Sequence, residues 1–355
     1  GALVAVKEDL LLTPGKQLLG YRIIRPIGAG GMGAVFEAEE TTIGRRVAIK
    51  ALLPELLSDE RNIQRFEREA RSMSLVRHPS VIDVFAFGKL DDGRPYFVMP
   101  LLVGRSLREE LSRSGKFAPA AAWAVLREVG LGLAAAHKAS VLHRDLKPEN
   151  IFLADYDDAV RPILLDFGIA KWTEDASDPS SAPAANLTAT GAPIGTPIYM
   201  APEQWWSQPA DATTDQYAFG IVLYELLAGR PPFFSSKYPE MLSLHLHSRP
   251  PALSEHGVIV SEAVTAFIEK LVAKDGQQRF NDMATVVAEG DRAFGFATGA
   301  SLQRLRAELP LGAEQPASPK ASLAEVGTAP TELAAPTAST SQPSWRVPLL
   351  VVLLW

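Results

Sequence analysis

Positions 143–150 read HRDLKPEN, and positions 166–168 read DFG. Short apolar runs flank the first segment at 141–142 and 151–153, and another run at 163–165 leads directly into the second. Apolar runs of this length between polar segments are typical of short buried strands, so both segments are predicted to be loops at strand ends. Together they form the most specific pattern in the chain.

A glycine-rich segment lies closer to the N-terminus, where positions 28–35 read GAGGMGAV. The GxGxxG spacing alone is a weak signal, because a dinucleotide-binding turn shares it and a flexible glycine turn also fits it. A dinucleotide-binding turn opens a helix, whereas here VFEAE follows at 35–39 and VAIK at 47–50. The context therefore favours a strand–loop–strand hairpin. A P-loop is excluded, since no Gly-Lys-Ser/Thr follows the glycines.

Lys50 lies in the apolar run 47–51, where its ammonium group would be half buried. One interpretation is a lysine at a strand edge whose ammonium reaches solvent. The other interpretation pairs it with Glu69. Positions 59–76 predict a helix with Asp59 as its N-cap, and Glu69 falls within the apolar arc of that helix. A carboxylate there is costly unless a cation meets it, so we expect Lys50 to pair with Glu69 and also to contact phosphate oxygens.

In this order, the glycine loop, the strand lysine, HRDLKPEN and DFG resemble the protein kinase superfamily. GGMG at 30–33 and YMAPEQ at 199–204 resemble, more narrowly, the bacterial eukaryotic-type serine/threonine kinases. The resemblance covers about positions 21–294. It implies an α+β, two-lobed protein kinase fold, with a small sheet-rich N-lobe at 21–100, a larger helical C-lobe at 101–296, and ATP in the cleft between them.

The resemblance also implies the parts of a phosphoryl-transfer site. Asp145 would accept or orient the proton of the substrate hydroxyl, and Lys147 would neutralise the γ-phosphate during transfer. Lys50 and Glu69 complete the catalytic set. Asn150 and Asp166 would be the metal ligands, because their hard oxygen atoms suit Mg²⁺, with Mn²⁺ as an alternative. Charge neutralisation and positioning dominate this reaction, which explains these residue types.

The nucleotide would lie against both the glycine loop and an apolar cleft. Glycine leaves room for backbone N–H groups to approach phosphates. Pro100 stands where the family often has glutamate; it has no N–H, but its carbonyl remains available to adenine, and Leu102 would supply the N–H donor. The predicted nucleotide-binding residues are Ile27, Gly28, Ala29, Gly30, Gly31, Met32, Gly33, Ala34, Val35, Ala48, Lys50, Pro100, Leu102 and Phe152.

Four further positions match structural residues of the family. Thr196, in the Gly-Thr-Pro at 195–197, would bond the catalytic Asp and, with Lys147, marks the serine/threonine branch. Glu203 and Arg279 would form an ion pair that anchors the substrate-binding segment, although ordinary surface charge is the alternative interpretation. Asp215 would hold the backbone of the catalytic loop.

Regulation is expected in the segment 166–203. Arg144 and Lys171 match the positions that form a basic pocket for a phosphate, which would order this segment. Thr188 and Thr190 are the predicted phosphate acceptors, because small residues surround them. The alternative is an unmodified Ser/Thr-rich loop.

Composition limits the remaining classes of function. The chain has 355 residues, a net charge of −6 and no cysteine. The acidic balance argues against a nucleic-acid partner, and the absence of cysteine excludes disulfides and thiolate-ligated zinc. We expect protein substrates with serine or threonine, and a kinase homodimer for trans-autophosphorylation. Two rival interpretations are a pseudokinase scaffold that binds ATP and a Rossmann-type enzyme. A pseudokinase usually lacks the residue that corresponds to Lys50, Asp145 or Asp166, and all three are present here.

The two ends of the chain differ from its middle. Positions 1–20 are an N-terminal lead, and 297–346 are rich in Ala, Pro, Ser, Thr and Glu, which predicts a disordered juxtamembrane-type linker. Positions 347–355 are apolar, but far short of the ~20 residues that span a bilayer. Trp345 and Arg346 precede them, as at a cytoplasmic membrane boundary. We therefore expect a truncated transmembrane helix, a cytoplasmic kinase domain and a single-pass membrane protein. The alternative is a soluble apolar tail that packs on the kinase domain or on a partner.

Overall fold

The computed structural model describes residues 12–156, 159–167, 197–206 and 208–296. Some predicted features lie outside these residues. They are Lys171, Thr188, Thr190 and Thr196, the linker at 297–346 and the apolar segment at 347–355.

The N-terminal lobe is built on one antiparallel sheet. Its strands are β1 (Gln17–Leu18), β2 (Tyr21–Ala29), β3 (Gly33–Glu40), β4 (Arg45–Leu52), β5 (Ala86–Lys89) and β6 (Pro95–Pro100). They are ordered β1-β2-β3-β4-β6-β5. Leu12 is buried against this sheet, so its core also takes in residues ahead of position 21.

The glycine-rich segment forms the turn of the β2–β3 hairpin, as its context predicted. Gly28 lies opposite Val35, and the N–H of Gly30 donates to the carbonyl oxygen of Gly33 at 2.8 Å. A Cβ on Gly33 would lie 2.8 Å from the carbonyl oxygen of Ala51. The close approach of β3 to β4 therefore requires a glycine at this position.

Helix α1 (Glu60–Leu75) is the single α-helix described in this lobe. Asp59 caps its first turn by accepting a backbone N–H at 3.0 Å. Phe66 on its inner face packs against Phe97 of β6, with ring centroids 5.2 Å apart. This contact fixes the helix against the sheet, and the same face carries Glu69 into the interior.

The C-terminal lobe is mainly helical in the described residues. Its helices are α2 (Leu107–Ser114), α3 (Pro119–Lys138), α4 (Pro202–Trp205), α5 (Ala212–Ala228), α6 (Tyr238–His247), α7 (Glu262–Leu271) and α8 (Met283–Ala293). Helix α5 is buried on all sides, because α3, α7 and α8 pack around it. Full burial of each large apolar side chain contributes about 2 kcal/mol, so this helix is the core of the lobe.

A small three-stranded sheet places the two polar loops next to each other. It consists of β7 (Gly104–Ser106), β8 (Ile151–Tyr156) and β9 (Ala159–Leu164), in that order. The first loop leads into β8 and the second follows β9. The N–H of Leu165 donates to the carbonyl oxygen of Asn150 at 2.9 Å, which ties one loop to the other.

Candidate active site

Lys50 on β4 joins three elements that are far apart in the chain. Its Nζ is 2.7 Å from Oε1 of Glu69 and 2.7 Å from Oδ1 of Asp166. Helix α1 supplies Glu69, and the loop after β9 supplies Asp166. The side chains of Lys50 and Glu69 are 8% and 5% exposed, whereas that of Asp166 is 28% exposed. The pair predicted from the sequence is thus a buried bridge with a third member that opens to the cleft.

The charges of this bridge set the protonation of its members. Burial alone would lower the pKa of Lys50, but Asp166 and Glu69 outweigh it, so its pKa lies above the ordinary value. Burial raises the pKa of Glu69. Burial would also raise the pKa of Asp166, yet Lys50 outweighs burial and holds it below the ordinary value. Asp166 is therefore ionised near neutral pH, as a metal-ligating carboxylate must be.

Two residues of the segment 143–150, Lys147 and Asn150, converge on Asp145. Nδ2 of Asn150 donates to the backbone oxygen of Asp145 at 2.8 Å and to its Oδ2 at 3.2 Å. Nζ of Lys147 lies 3.1 Å from the same Oδ2. A carboxylate that receives an ammonium and an amide is held in one orientation.

Asp215 of α5 fixes the backbone just ahead of Asp145. It accepts the N–H of His143 at 2.9 Å and the N–H of Arg144 at 2.8 Å, and Nε2 of His137 lies 2.7 Å from its Oδ2. Arg144 has a φ of +62°, a left-handed conformation that is costly for a side chain with a Cβ. The buried carboxylate holds this turn in place, which is the role that the resemblance implied for Asp215.

Phe167 orients Asp166. Its ring is fully buried and lies 4.9 Å from the ring of His143, centroid to centroid. Burial lowers the pKa of His143, and its Nε2 donates to the carbonyl oxygen of Leu165, which can only accept, at 3.1 Å. Asp166 has a φ of +41°, so the chain turns sharply there and directs the carboxylate away from Phe167 towards Lys50.

An apolar cavity lies between the two lobes beside this bridge. Six of the predicted nucleotide-binding residues line it, and four other residues complete its wall. The lining residues are Ile27, Val35, Ala48, Ile82, Met99, Pro100, Leu101, Leu102, Phe152 and Leu165. Sequence reasoning did not assign Ile82, Leu101 or Leu165 to the nucleotide. Leu165 carried a usable signal, because it directly precedes Asp166 and must share its loop.

Asn150 and Asp166 fit a divalent ion of the Mg²⁺ type. Within the described ranges, no group of three or more His, Asp or Glu side chains forms a metal cage. Mg²⁺ in phosphoryl-transfer sites does not need one, because it takes one or two carboxylates and completes its shell with phosphate oxygens and water. One ionised carboxylate and one neighbouring amide match that need.

The pattern of the protein kinase domain family matches residues 21–289. The chain belongs to the protein kinase family. It is similar to Serine/threonine-protein kinase pkn2 of Myxococcus xanthus, 36% identical over 273 residues, and to pkn3 of the same organism, 38% identical over 264. The matches cover 76% and 73% of this kinase, and 31% and 47% of the relatives. The resemblance to bacterial serine/threonine kinases is thereby confirmed.

Two further comparisons show how much of the chain a relative matches and which fold the chain shares. PknE of Mycobacterium tuberculosis is 36% identical over 314 residues, which are 86% of this kinase and 52% of PknE. The crystal structure of the Mycobacterium tuberculosis PknI kinase domain matches with a TM-score of 0.58 at 24% identity, covering 79% of this kinase and 99% of that chain. The predicted two-lobed fold is confirmed. The kinase spans about a third to a half of the length of the curated relatives that it matches.

Glu203 and Arg279 form a two-pronged ion pair. Nη1 of Arg279 lies 2.8 Å from Oε1 of Glu203, and Nη2 lies 3.0 Å from Oε2. Arg279 also donates to the backbone oxygens of Thr213 and Ala273, and its side chain is fully buried. The pair joins α4 to the segment after α7. The alternative interpretation of these two residues as ordinary surface charges is therefore wrong.

Arg144 is the one member of the predicted phosphate pocket within the described residues. Its Nε is buried and has no hydrogen-bond partner in the part of the chain that the structure describes. A buried guanidinium N–H without an acceptor is costly, so this group is suited to receive an anion.

Sequence reasoning missed a cluster around Arg108 of α2. Its Nε lies 2.8 Å from Oε1 of Glu149, its Nη1 lies 2.8 Å from Oε1 of Glu225, and its Nη2 contacts the hydroxyl of Tyr199. That hydroxyl donates to Oε2 of Glu225 at 2.6 Å. We call the two carboxylates, Glu149 and Glu225, the glutamate recess. Glu149 is part of the HRDLKPEN motif, but nothing in the sequence predicted its contact with Arg108.

Proposed function

We propose that this kinase transfers the γ-phosphate of Mg·ATP to serine or threonine hydroxyls of proteins. One observation carries the proposal: Lys50 bridges Glu69 and Asp166 at 2.7 Å each. This bridge aligns a phosphate-binding ammonium with an ionised metal ligand, at the mouth of an apolar cavity that suits adenine.

In the proposed reaction, the substrate oxygen forms a bond to the γ-phosphorus while the bond from that phosphorus to the bridging oxygen of ADP breaks. The hydroxyl proton passes to the carboxylate of Asp145. Lys147, which lies 3.1 Å from that carboxylate, neutralises charge on the phosphoryl oxygens. A bound Mg²⁺ would supply further charge neutralisation at the phosphates, held by Asp166 and Asn150.

Regulation by autophosphorylation is part of the proposal. The orphan Nε of Arg144 supports it, since a phosphate on Thr188 or Thr190 would supply the missing acceptor. Lys171 would add a second cation. One copy of the kinase would phosphorylate another in a homodimer.

Membrane attachment also remains a proposal. It is supported by the composition of the linker at 297–346 and of the apolar segment at 347–355. In the described part of the chain, no helix has both the length and the apolarity to cross a bilayer.

The test compares the wild-type chain with Asp145→Asn and with Asp155→Asn, the same change at an exposed position on β8. With Mg·ATP we expect phosphorylation of the kinase and of a generic basic protein. Asp145→Asn should reduce the rate by about 10²- to 10⁴-fold, as loss of a general base does, with unchanged nucleotide affinity. Phosphate should map to Thr188 or Thr190 by mass spectrometry. A wild-type chain that binds nucleotide without transferring phosphate would favour the pseudokinase instead.

A further inference from the structure

The glutamate recess lies beside the residues proposed to handle the acceptor. Glu149 belongs to the 3₁₀ turn Pro148–Asn150, four residues after Asp145, and Tyr199 belongs to the segment that leads into α4. Four residues of extended chain span at most about 14 Å. Because an extended peptide advances about 3.3 Å per residue, the recess is within reach of substrate positions up to about four residues from the acceptor.

The recess has the properties of a site for a cation. Glu225 is only 4% exposed, and two carboxylates this close to each other need a positive partner. Oε2 of Glu149 is buried and lacks a hydrogen-bond partner among the described residues. One guanidinium, that of Arg108, contacts both carboxylates, so the recess is built around a cation.

The chain provides the cation itself. Burial alone would lower the pKa of Arg108, but the hydroxyl of Tyr199 and the two carboxylates outweigh it, so its pKa is raised and it stays charged. Its side chain is 30% exposed, so the recess borders solvent on the side where Arg108 enters. A substrate arginine approaching the recess would meet a guanidinium that already occupies it.

We propose that Arg108 is a specificity-determining residue: it fills the glutamate recess with an internal guanidinium, so that this kinase does not favour basic residues near the acceptor. The inference rests on the proposed kinase activity. It also implies that loss of Arg108 converts the recess into a binding site for a substrate arginine.

The test uses the full chain, Mg·ATP and a set of serine peptides with either alanine or arginine at each position from four before to four after the acceptor. For the wild type, arginine should change kcat/KM by less than about 3-fold at every position. For Arg108→Leu, arginine at one or two positions should raise kcat/KM by about 10-fold or more, since charge-assisted bonds to carboxylates are strong. Adding Glu149→Gln to Arg108→Leu should remove most of that gain.

The matched control is Arg105→Leu. Arg105 has a similar exposure, 24%, and pairs with a buried carboxylate, Glu110, at 2.9 Å, outside the recess. It should leave the peptide preference unchanged. If Arg108→Leu does not fold, the double variant Arg108→Leu with Glu225→Gln removes the most deeply buried unpaired charge and should still show the gain through Glu149.

Two results would overturn the inference while the proposed function stands. One is a wild-type kinase that already favours arginine by about 10-fold or more. The other is an active, folded Arg108→Leu variant with the wild-type preference. Absence of transfer to every peptide, with the wild type folded, would instead refute the proposed function and the inference with it.

Discussion

Replacing Lys50 with methionine tests the bridge on which the site depends. Lys50→Met keeps most of the apolar volume of the side chain, but leaves Glu69 and Asp166 facing each other in the interior without a cation. Removing one partner of a buried ion pair costs about 3–5 kcal/mol. At about 2–4 °C per kcal/mol for a domain of this size, the midpoint of thermal unfolding should fall by about 6–20 °C at pH 8.

The loss should depend on pH in a defined direction. Without Lys50, burial raises the pKa of both Glu69 and Asp166 in the folded protein above their unfolded values. A carboxyl group with a raised folded pKa contributes stability at low pH and loses it as the pH rises through that pKa. The difference in stability between wild type and Lys50→Met should therefore be smaller at pH 5.5 than at pH 8.

Thermal and urea unfolding at both pH values, on wild type and variant, provide the measurement. Lys89→Met is the control, because Lys89 is 58% exposed and its contact with Glu67 is 3.4 Å; exposed pairs of this kind contribute at most about 1 kcal/mol. A Lys50→Met variant that unfolds within about 1 °C of the wild type, or whose deficit grows as the pH falls, would refute the buried bridge.

Two other predictions concern the C-terminal lobe. Gly104 has a φ of +141°, and a Cβ there would lie 2.0 Å from a carbonyl oxygen of β8. Gly104→Ala should therefore lower the unfolding free energy by more than about 3 kcal/mol or prevent folding. Gly93 also has a positive φ but open space around it, so Gly93→Ala should cost only about 1–2 kcal/mol in the same urea titration. Burial, aided by a neighbouring lysine, lowers the pKa of His245 to about 3, so its stabilising contribution is complete above its unfolded pKa of about 6.5 and is lost as the pH falls towards 3. Between pH 7 and 5 the wild type should therefore lose up to about 2 kcal/mol more than His245→Leu. Equal slopes of stability against pH for the two proteins would contradict the argument.

Features encoded by local periodicity could be predicted from the sequence. The β2–β3 hairpin, the helix that begins after Asp59, and the buried position of Glu69 all follow from spacing within one segment. The partner of Glu69 was also predictable, because a buried lysine and a buried carboxylate each need an opposite charge.

Contacts between distant segments left no such signal. Arg108 meets Glu149 across 41 residues and Glu225 across 117 residues. Each residue alone looks like an ordinary charge on a helix or loop, and only the packing of α2 against the catalytic loop and α5 brings them together. Ile82 is similar, since it reaches the nucleotide cavity from a segment without regular structure.

Helix α5 fixes the distance between two buried carboxylates that anchor other segments of the chain. It carries Asp215 near its first turn and Glu225 near its last, and ten residues of helix correspond to about 15 Å. The carboxylate that holds the backbone ahead of Asp145 and the carboxylate that lies in the glutamate recess are therefore kept at a fixed separation by one buried helix. Arg108, in contrast, stands on a helix at the surface. A substitution at position 108 can therefore change what occupies the glutamate recess without moving Asp215 or Glu225.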